Sequence, residues 1–292
     1  MRAACHRCLL SPLDRLERDH IGTCCAAPVE AQDLKMGQGT FCQGATSQAH
    51  VVLGVGLGHK GVTMIFLDGV GTVIHPRADV LSTYLEIGQR FGSRVSAQHA
   101  AASYRKAWDA QEQIDLDAQY RTDEQRERER WRAVVRAVFS DVVDPEELFH
   151  VLWEHYRHPS AWAVYDDAQE LIRFLDAQNI PWGIASNYDA RLRTVVYGLD
   201  ALARCRFVVI SSEVGWRKPH PYFFEALCRT AGQPPGKLVY TGDHYAHDFV
   251  AARTAGLHAF WLCRPGVAAH RADSQCLRSL SELIPVVSQL SV

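Results

Sequence analysis

The chain has 292 residues, 47% of them hydrophobic, enough for one large domain carrying a smaller insert. Its formal net charge of −2 gives no general attraction for nucleic acid or an anionic membrane, and neither is expected as a partner. No apolar run reaches the roughly 18 residues of a membrane span, and no apolar stretch follows Arg2 and Arg7 as a secretory signal requires; the expected compartment is the cytoplasm, where cysteines stay reduced.

Residues 1–63 are rich in Cys, Gly, Gln and Ala, with little periodicity. Five of the nine cysteines (Cys5, Cys8, Cys24, Cys25 and Cys42) fall in this stretch. Cys5 and Cys8 have the spacing of a zinc or redox site, but adjacent Cys24 and Cys25 are poor partners for one tetrahedral ion, so an unstructured segment is the expectation. Gly56, Gly58 and Gly61 match GxGxxG; a dinucleotide loop must leave a strand and open a helix, whereas this one runs into a strand. Met64 stands directly before that strand. Residues 1–63 are therefore expected to be an N-terminal extension, disordered or not native, with translation starting at Met64.

The apolar run from Met64 ends in Asp68, followed by Gly69, Val70, Gly71 and Thr72. This reads as a buried strand over 64–68 that delivers a carboxylate to its carboxyl end, then a tight glycine turn. Residues 78–160 read as helical. Val80, Tyr84, Leu85 and Phe91 share one face; Asp144 before Pro145 starts a helix; and Leu148, Val151, Leu152 and His155 continue a stripe. The charge run 122–132 has Glu124 and Arg128 at i,i+4 and reads as a solvated helix face. No segment here alternates as a strand would. Tyr104, Trp108, Tyr120 and Trp131 are read as packing residues rather than ligand contacts.

From residue 165 helices and short apolar strands alternate: helix 167–178, strand 181–186, helix 189–199, strand 206–211, helix 219–231, strand 237–242, helix 246–256, strand 258–262 and a last helix over 277–290. Such alternation predicts an α/β fold, a doubly wound parallel Rossmann-like sheet of about five strands. The core takes 64–77 and 161–292, and the inserted all-helical cap, 78–160, lies over the strand ends.

Four strand ends carry polar residues: Asp68 and Thr72; Ser186 and Asn187; Arg217, Lys218 and Pro219; and Asp243 with Asp248. In open α/β sheets ligands bind beyond the carboxyl ends of the strands. Two or three carboxylates, a hydroxyl and a lysine suit a divalent cation plus a phosphate, and hard oxygen ligands suit Mg²⁺. Taken singly, each has an ordinary reading as a helix cap, a turn pair or a solvated lysine.

Together these motifs resemble the haloacid dehalogenase superfamily, with a cap inserted after the first motif: DGVGT at 68–72, SN at 186–187, VGWRKPHPYFFEAL at 214–227 and GDHYAHD at 242–248. The resemblance covers 64 to about 265. It implies that Asp68 is the nucleophile and that Asp68, the Val70 carbonyl and Asp243 hold Mg²⁺. It also implies that Ser186 and the Asn187 backbone bind phosphate, that Lys218 offsets negative charge, and that Asp248 binds Mg²⁺ through water or orients Lys218. Thr72 supports the first loop and the phosphate site.

Phosphatases of this family carry an acid/base aspartate two residues after the nucleophile; here that position is Val70. Three readings follow. The first is a Mg²⁺-dependent phosphatase acting on a small phosphorylated metabolite, slow or with a substitute proton carrier among His75, His244 and His247. The second is a phosphorus–carbon hydrolase using Lys106, the cap's one lysine, as a Schiff base. The third is a non-catalytic or very slow protein that binds a phosphorylated ligand or a partner. Dehalogenation fits less well, since such relatives place a tyrosine at the Val70 position and need no metal.

Overall fold

The computed structural model describes residues 61–264 and 275–290. The cysteine-rich segment, the Cys5/Cys8 pair and most of the GxGxxG loop lie outside them, so the extension over 1–63 is described only at its last three residues.

Strand β1 (Met64–Leu67) leads through β2 (Ile74–Pro76) into four helices: α1 (Val80–Arg90), α2 (Ala97–Asp117), α3 (Glu124–Val138) and α4 (Pro145–His155). The chain returns through β3 (Trp162–Val164), which pairs antiparallel with β2. There follow α5 (Asp166–Ala177), β4 (Trp182–Ser186), α6 (Arg191–Tyr197), β5 (Phe207–Ile210), α7 (Ser211–Val214), α8 (Pro221–Ala231), β6 (Leu238–Gly242), α9 (Ala251–Thr254), β7 (His258–Leu262), β8 (Cys276–Leu277) and α10 (Leu283–Leu290). A π-helical turn, Tyr245–Val250, precedes α9, so the expected helix over 246–256 is split.

The main sheet has the order β5-β4-β1-β6-β7-β8, every neighbouring pair parallel. Its sixth strand, two residues long, was too short to register as a periodic element. All four residues of β1 are buried, as a strand covered on both faces requires. From β1 the order winds outward both ways, through β4 to β5 and through β6 to β8. The carboxyl ends of β4, β1 and β6 therefore flank the switch point, where open α/β sheets hold ligands.

Ile65, Leu67, Leu171, Trp182 and Val195 pack on one side of the sheet; Phe66, Phe223, Phe224, Tyr240 and Phe249 pack on the other. The helical block has its own core around Tyr84, Tyr104, Phe139, Phe149 and Trp153. Each fully buried large apolar side chain contributes about 1.5–3 kcal/mol. Helix α4 starts as expected, with Pro145 in its first turn and Asp144 accepting from the Glu147 N–H at 3.0 Å. The β2–β3 pair was not expected, because three-residue strands carry no readable alternation. It brings the two passages between cap and core side by side, and Arg77 spans them by donating to the carbonyls of Ser160 and Trp162.

The charge run 122–132 is solvated on one face only: Asp123, Glu124, Gln125 and Glu129 are exposed, whereas the other face is buried. Glu127 and Arg130 are 2% and 1% exposed. Arg130 pairs with Asp115 and, at 3.0 Å, with Glu112, both on α2; Arg126 reaches Asp115 at 2.7 Å. From the core, Arg217 reaches Glu127 at 2.5 Å and Asp115 at 3.2 Å. Glu124 accepts from the Ala190 N–H at 2.9 Å and from the Ser212 hydroxyl rather than pairing with Arg128. The expectation holds for the outer face and fails for the inner one, because the face of α3 that meets α2 and the core is polar and its charges are satisfied by partners distant in sequence.

Removing one member of a buried ionic cluster leaves its partners uncompensated. Arg130→Met is expected to lower the unfolding free energy by about 3–5 kcal/mol, measured by urea denaturation. Adding Glu127→Gln to that variant should recover part of the loss.

Candidate active site

At the end of β1 the Asp68 N–H donates to the Thr241 carbonyl of β6 at 2.9 Å, continuing the ladder one residue beyond the strand. Gly69 then accepts from the N–H groups of Val73 and Ile74 at 2.8 and 3.0 Å, closing the turn. Gly71 has φ +87, and a Cβ there would lie 2.6 Å from an Asp243 carboxylate oxygen. A side chain is excluded on both counts. A Cβ on Gly242 would likewise fall 2.3 Å from Asp248 Cγ. These two glycines let the carboxylates close on the backbone.

The oxygens of Asp68, Asp243 and Asp248 come within 4.8 Å of one another. Lys218, 3% exposed, donates from Nζ to Asp68 Oδ1 and Asp248 Oδ1, both at 2.6 Å, and to the Tyr240 hydroxyl at 2.8 Å. Asp248 is fully engaged, because its Oδ2 accepts from the His244 N–H at 2.9 Å. Asp243 accepts from the Thr72 hydroxyl at 3.2 Å; Thr72 is wholly buried, so this threonine orients a carboxylate. The Ser186 hydroxyl, 3% exposed, stands over Gly69 next to Asp68 with no protein partner among the described residues. Asn187 is placed differently from the simple expectation. Its side-chain amide brackets Lys218, donating to the Lys218 carbonyl at 3.0 Å and accepting from its N–H at 2.7 Å.

Electrostatics follow from this burial. Burial pushes the Asp68 carboxyl up to about 7 against the pull of Lys218, with Asp248 and Asp243 adding to the rise. Burial also opposes ionisation of Asp248, but Lys218 more than offsets it and holds that carboxyl below its ordinary value. Lys218 keeps its charge: burial works against the ammonium, and Asp248 and Asp68 outweigh it. Three carboxylates against one ammonium leave an excess of negative charge that a hard divalent cation would neutralise. The donors are oxygen only, and Asp248 is saturated by Lys218, Tyr240 and the His244 N–H.

Tyr240 was not anticipated from the sequence. It sits in an apolar strand, buried, with its hydroxyl against Lys218, Asp248 Oδ1 (3.1 Å) and the Ala185 carbonyl (2.9 Å). A polar tip at that place in LVYTG was the available signal. The three histidines are each engaged with a neighbouring group. His75 bonds the Pro76 carbonyl and packs on Tyr165. His244 Nδ1 accepts from the His247 N–H at 3.1 Å. The two rings stack at 4.0 Å, and burial pulls both imidazoles down, His247 to about 3.

Of the cap aromatics, Tyr104, Trp108 and Trp131 pack in the cap interior. Tyr120 instead has φ 61 and meets the His247 ring edge-on at 6.1 Å, beside the carboxylates. Lys106 is exposed on α2 and lacks the desolvation a Schiff-base lysine needs. Val70 packs against the apolar core, and no carboxylate takes its place on the turn.

Residues 62–256 match the family model described as haloacid dehalogenase-like hydrolase. A curated relative, haloacid dehalogenase-like hydrolase domain-containing protein 3 of Danio rerio, is 26% identical over 230 residues, which is 76% of this chain and 95% of the relative. A HAD phosphatase from Thermococcus onnurineus superposes with a TM-score of 0.55 at 20% identity, covering 80% of this chain and all of that one. L-2-haloacid dehalogenase from Xanthobacter autotrophicus gives 0.60 at 14% identity, covering 79% and 100%. At such identities the two structures speak for the fold alone.

Lys218→Met strands two buried carboxylates. At about pH 8 it is expected to destabilise the chain by about 3–5 kcal/mol. Without the ammonium the folded-state pKa of both carboxyls rises above the unfolded value, so the folded state binds more protons and stability returns as pH falls. Urea denaturation from about pH 8 to about pH 5 should show the gap to the parent narrowing.

Proposed function

This chain belongs to the haloacid dehalogenase-like hydrolases, and on that premise we propose that it is a Mg²⁺-dependent phosphatase acting on a small phosphorylated molecule. The observation that carries the reading is the Lys218 ammonium held at 2.6 Å from both Asp68 and Asp248, with Asp243 alongside. That set suits a developing phosphoryl charge better than a haloacid carbon, which needs no cation site.

Asp68 attacks phosphorus through one carboxylate oxygen; the P–O bond to the leaving group breaks, and an aspartyl-phosphate results. Water then attacks phosphorus, releases phosphate and restores the Asp68 carboxylate. Lys218 stabilises the charge gathering on the phosphoryl oxygens without reorganising, because Asp248, Tyr240 and Asn187 already hold it. Ser186 and the Asn187 N–H bind the remaining phosphate oxygens. Asp68, Asp243 and the Val70 carbonyl would hold Mg²⁺, which when bound neutralises phosphate charge, and Asp248 serves chiefly to orient Lys218.

Val70 cannot protonate the leaving group or activate water. Lost acid/base help costs about 10²–10⁴-fold, so the enzyme is suited to leaving groups that depart without a proton. A second reading, a phosphate-ligand binder with negligible turnover, rests on the same residue. Exposure of Lys106 leaves the phosphorus–carbon reading without support.

Mg²⁺-dependent hydrolysis of an activated aryl phosphate is expected, falling by more than about 10³-fold in Asp68→Asn. No hydrolysis by the parent, with orthovanadate still bound in a calorimetric titration, would favour the binder. Val70→Asp should raise kcat for alkyl phosphates, whose leaving groups need a proton, by about 10²-fold or more; steady-state kinetics on alkyl and aryl esters would read the contrast.

A further inference from the structure

The turn that follows Asp68 is gripped from outside by one side chain. Arg264, at the end of β7 and 11% exposed, donates from Nη2 to the Thr72 carbonyl at 2.8 Å and from Nε to the Gly71 carbonyl at 3.4 Å. Its Nη1 is anchored on Asp167 Oδ2 at 2.6 Å, and its guanidinium lies 3.9 Å from the centroid of the Tyr165 ring. Asp167 is itself fixed by the Ser279 hydroxyl at 3.2 Å and the Leu280 N–H at 2.9 Å. Burial opposes its ionisation, but Arg264 and these bonds hold the carboxyl below its ordinary value, so the anchor stays charged.

The two carbonyls gripped belong to residues already placed in the site. Thr72 turns its hydroxyl to Asp243, and Gly71, at φ +87, faces the Asp243 carboxylate with no room for a side chain. A glycine has the most backbone freedom to lose on ordering, so this turn needs an external constraint if Asp68, the Val70 carbonyl and Asp243 are to keep one geometry.

We propose that Arg264 is a positioning residue for the nucleophile's turn: through the Gly71 and Thr72 carbonyls it holds Asp68, the Val70 carbonyl and Asp243 in register. The clamp rests on the phosphatase reading only for its effect on turnover; its effect on the turn does not.

Amide hydrogen exchange tests it directly. In Arg264→Ala the Gly71, Val73 and Ile74 amides, bonded within the turn at 2.8–3.0 Å, are expected to exchange about tenfold faster or more, with the Ile65–Leu67 amides of β1 unchanged as internal reference. On an activated aryl phosphate with Mg²⁺, kcat is expected to fall by about 10–100-fold, with KM moving less than about threefold. Arg264→Lys, which can reach one carbonyl, should recover part of the rate, and added guanidinium ion should partly rescue Arg264→Ala. Asp167→Asn, which loosens the anchor and keeps the arginine, should give a smaller change of the same kind. Should Arg264→Ala fail to fold, the lysine and Asp167→Asn variants carry both readouts. Unchanged exchange at residues 71–74 overturns the clamp whatever the turnover. An inactive parent whose turn still loosens in the variant overturns the phosphatase reading and leaves the clamp standing.

Discussion

An ammonium buried between two carboxylates organises this protein. Taking ions out of water costs several kcal/mol each, and the cost is offset only where geometry is tight and the remaining donors and acceptors are filled. Lys218 meets that condition through Asp68, Asp248 and Tyr240, while Asn187 holds its backbone from both sides. Asp68 follows β1, Asn187 follows β4, Lys218 follows β5, and Tyr240 and Asp248 come from β6 and the turn after it, so the sheet must set β5, β4, β1 and β6 side by side before the charges can be satisfied. The small residues follow from the same demand: Gly71 and Gly242 stand where the Asp243 and Asp248 carboxylates leave no space for a Cβ.

A second buried ionic network lies one residue away. Arg217 precedes Lys218 and reaches Asp115 and Glu127 in the helical block, while its N–H donates to the Tyr120 carbonyl at 2.8 Å. The Thr122 N–H donates to Gly215 on the same seam at 3.2 Å. Cap and core therefore meet at the β2–β3 passages, beside the lysine, and where Arg191 donates to the Trp153 carbonyl at 3.1 Å. Any movement of α2 and α3 against the core pulls on the loop that carries Lys218. Burial lowers the Arg130 guanidinium to about 9, with the nearby Arg217 charge acting in the same direction and Glu112 against it.

The turn at 68–72 shows how separate demands meet on a few residues. It is short and uses glycine, it carries Asp68, and it holds Asp243 through Thr72. Val70 serves the apolar packing behind the turn. Burial keeps the His244 and His247 imidazoles uncharged at neutral pH, so neither holds a proton to donate there.

The sequence by itself determined the α/β class, the central buried strand, the inserted helices, and the polar residues at the strand ends. These are local properties: hydrophobic period, capping residues such as Asp144, and carboxylates that interrupt apolar runs. The tertiary structure decided the rest. Tyr240 became a partner of Lys218, Asn187 a bracket for its backbone and Arg264 a grip on the turn after Asp68. Glu127 and Arg130 of the charge run 122–132 became part of a buried seam, while its other face stayed in water. Each depends on contacts between residues far apart in the chain, where partner identity, not residue type, sets whether a charge is hydrated or paired. A periodicity that reads neighbours three or four residues apart carries no information about a guanidinium ninety residues away.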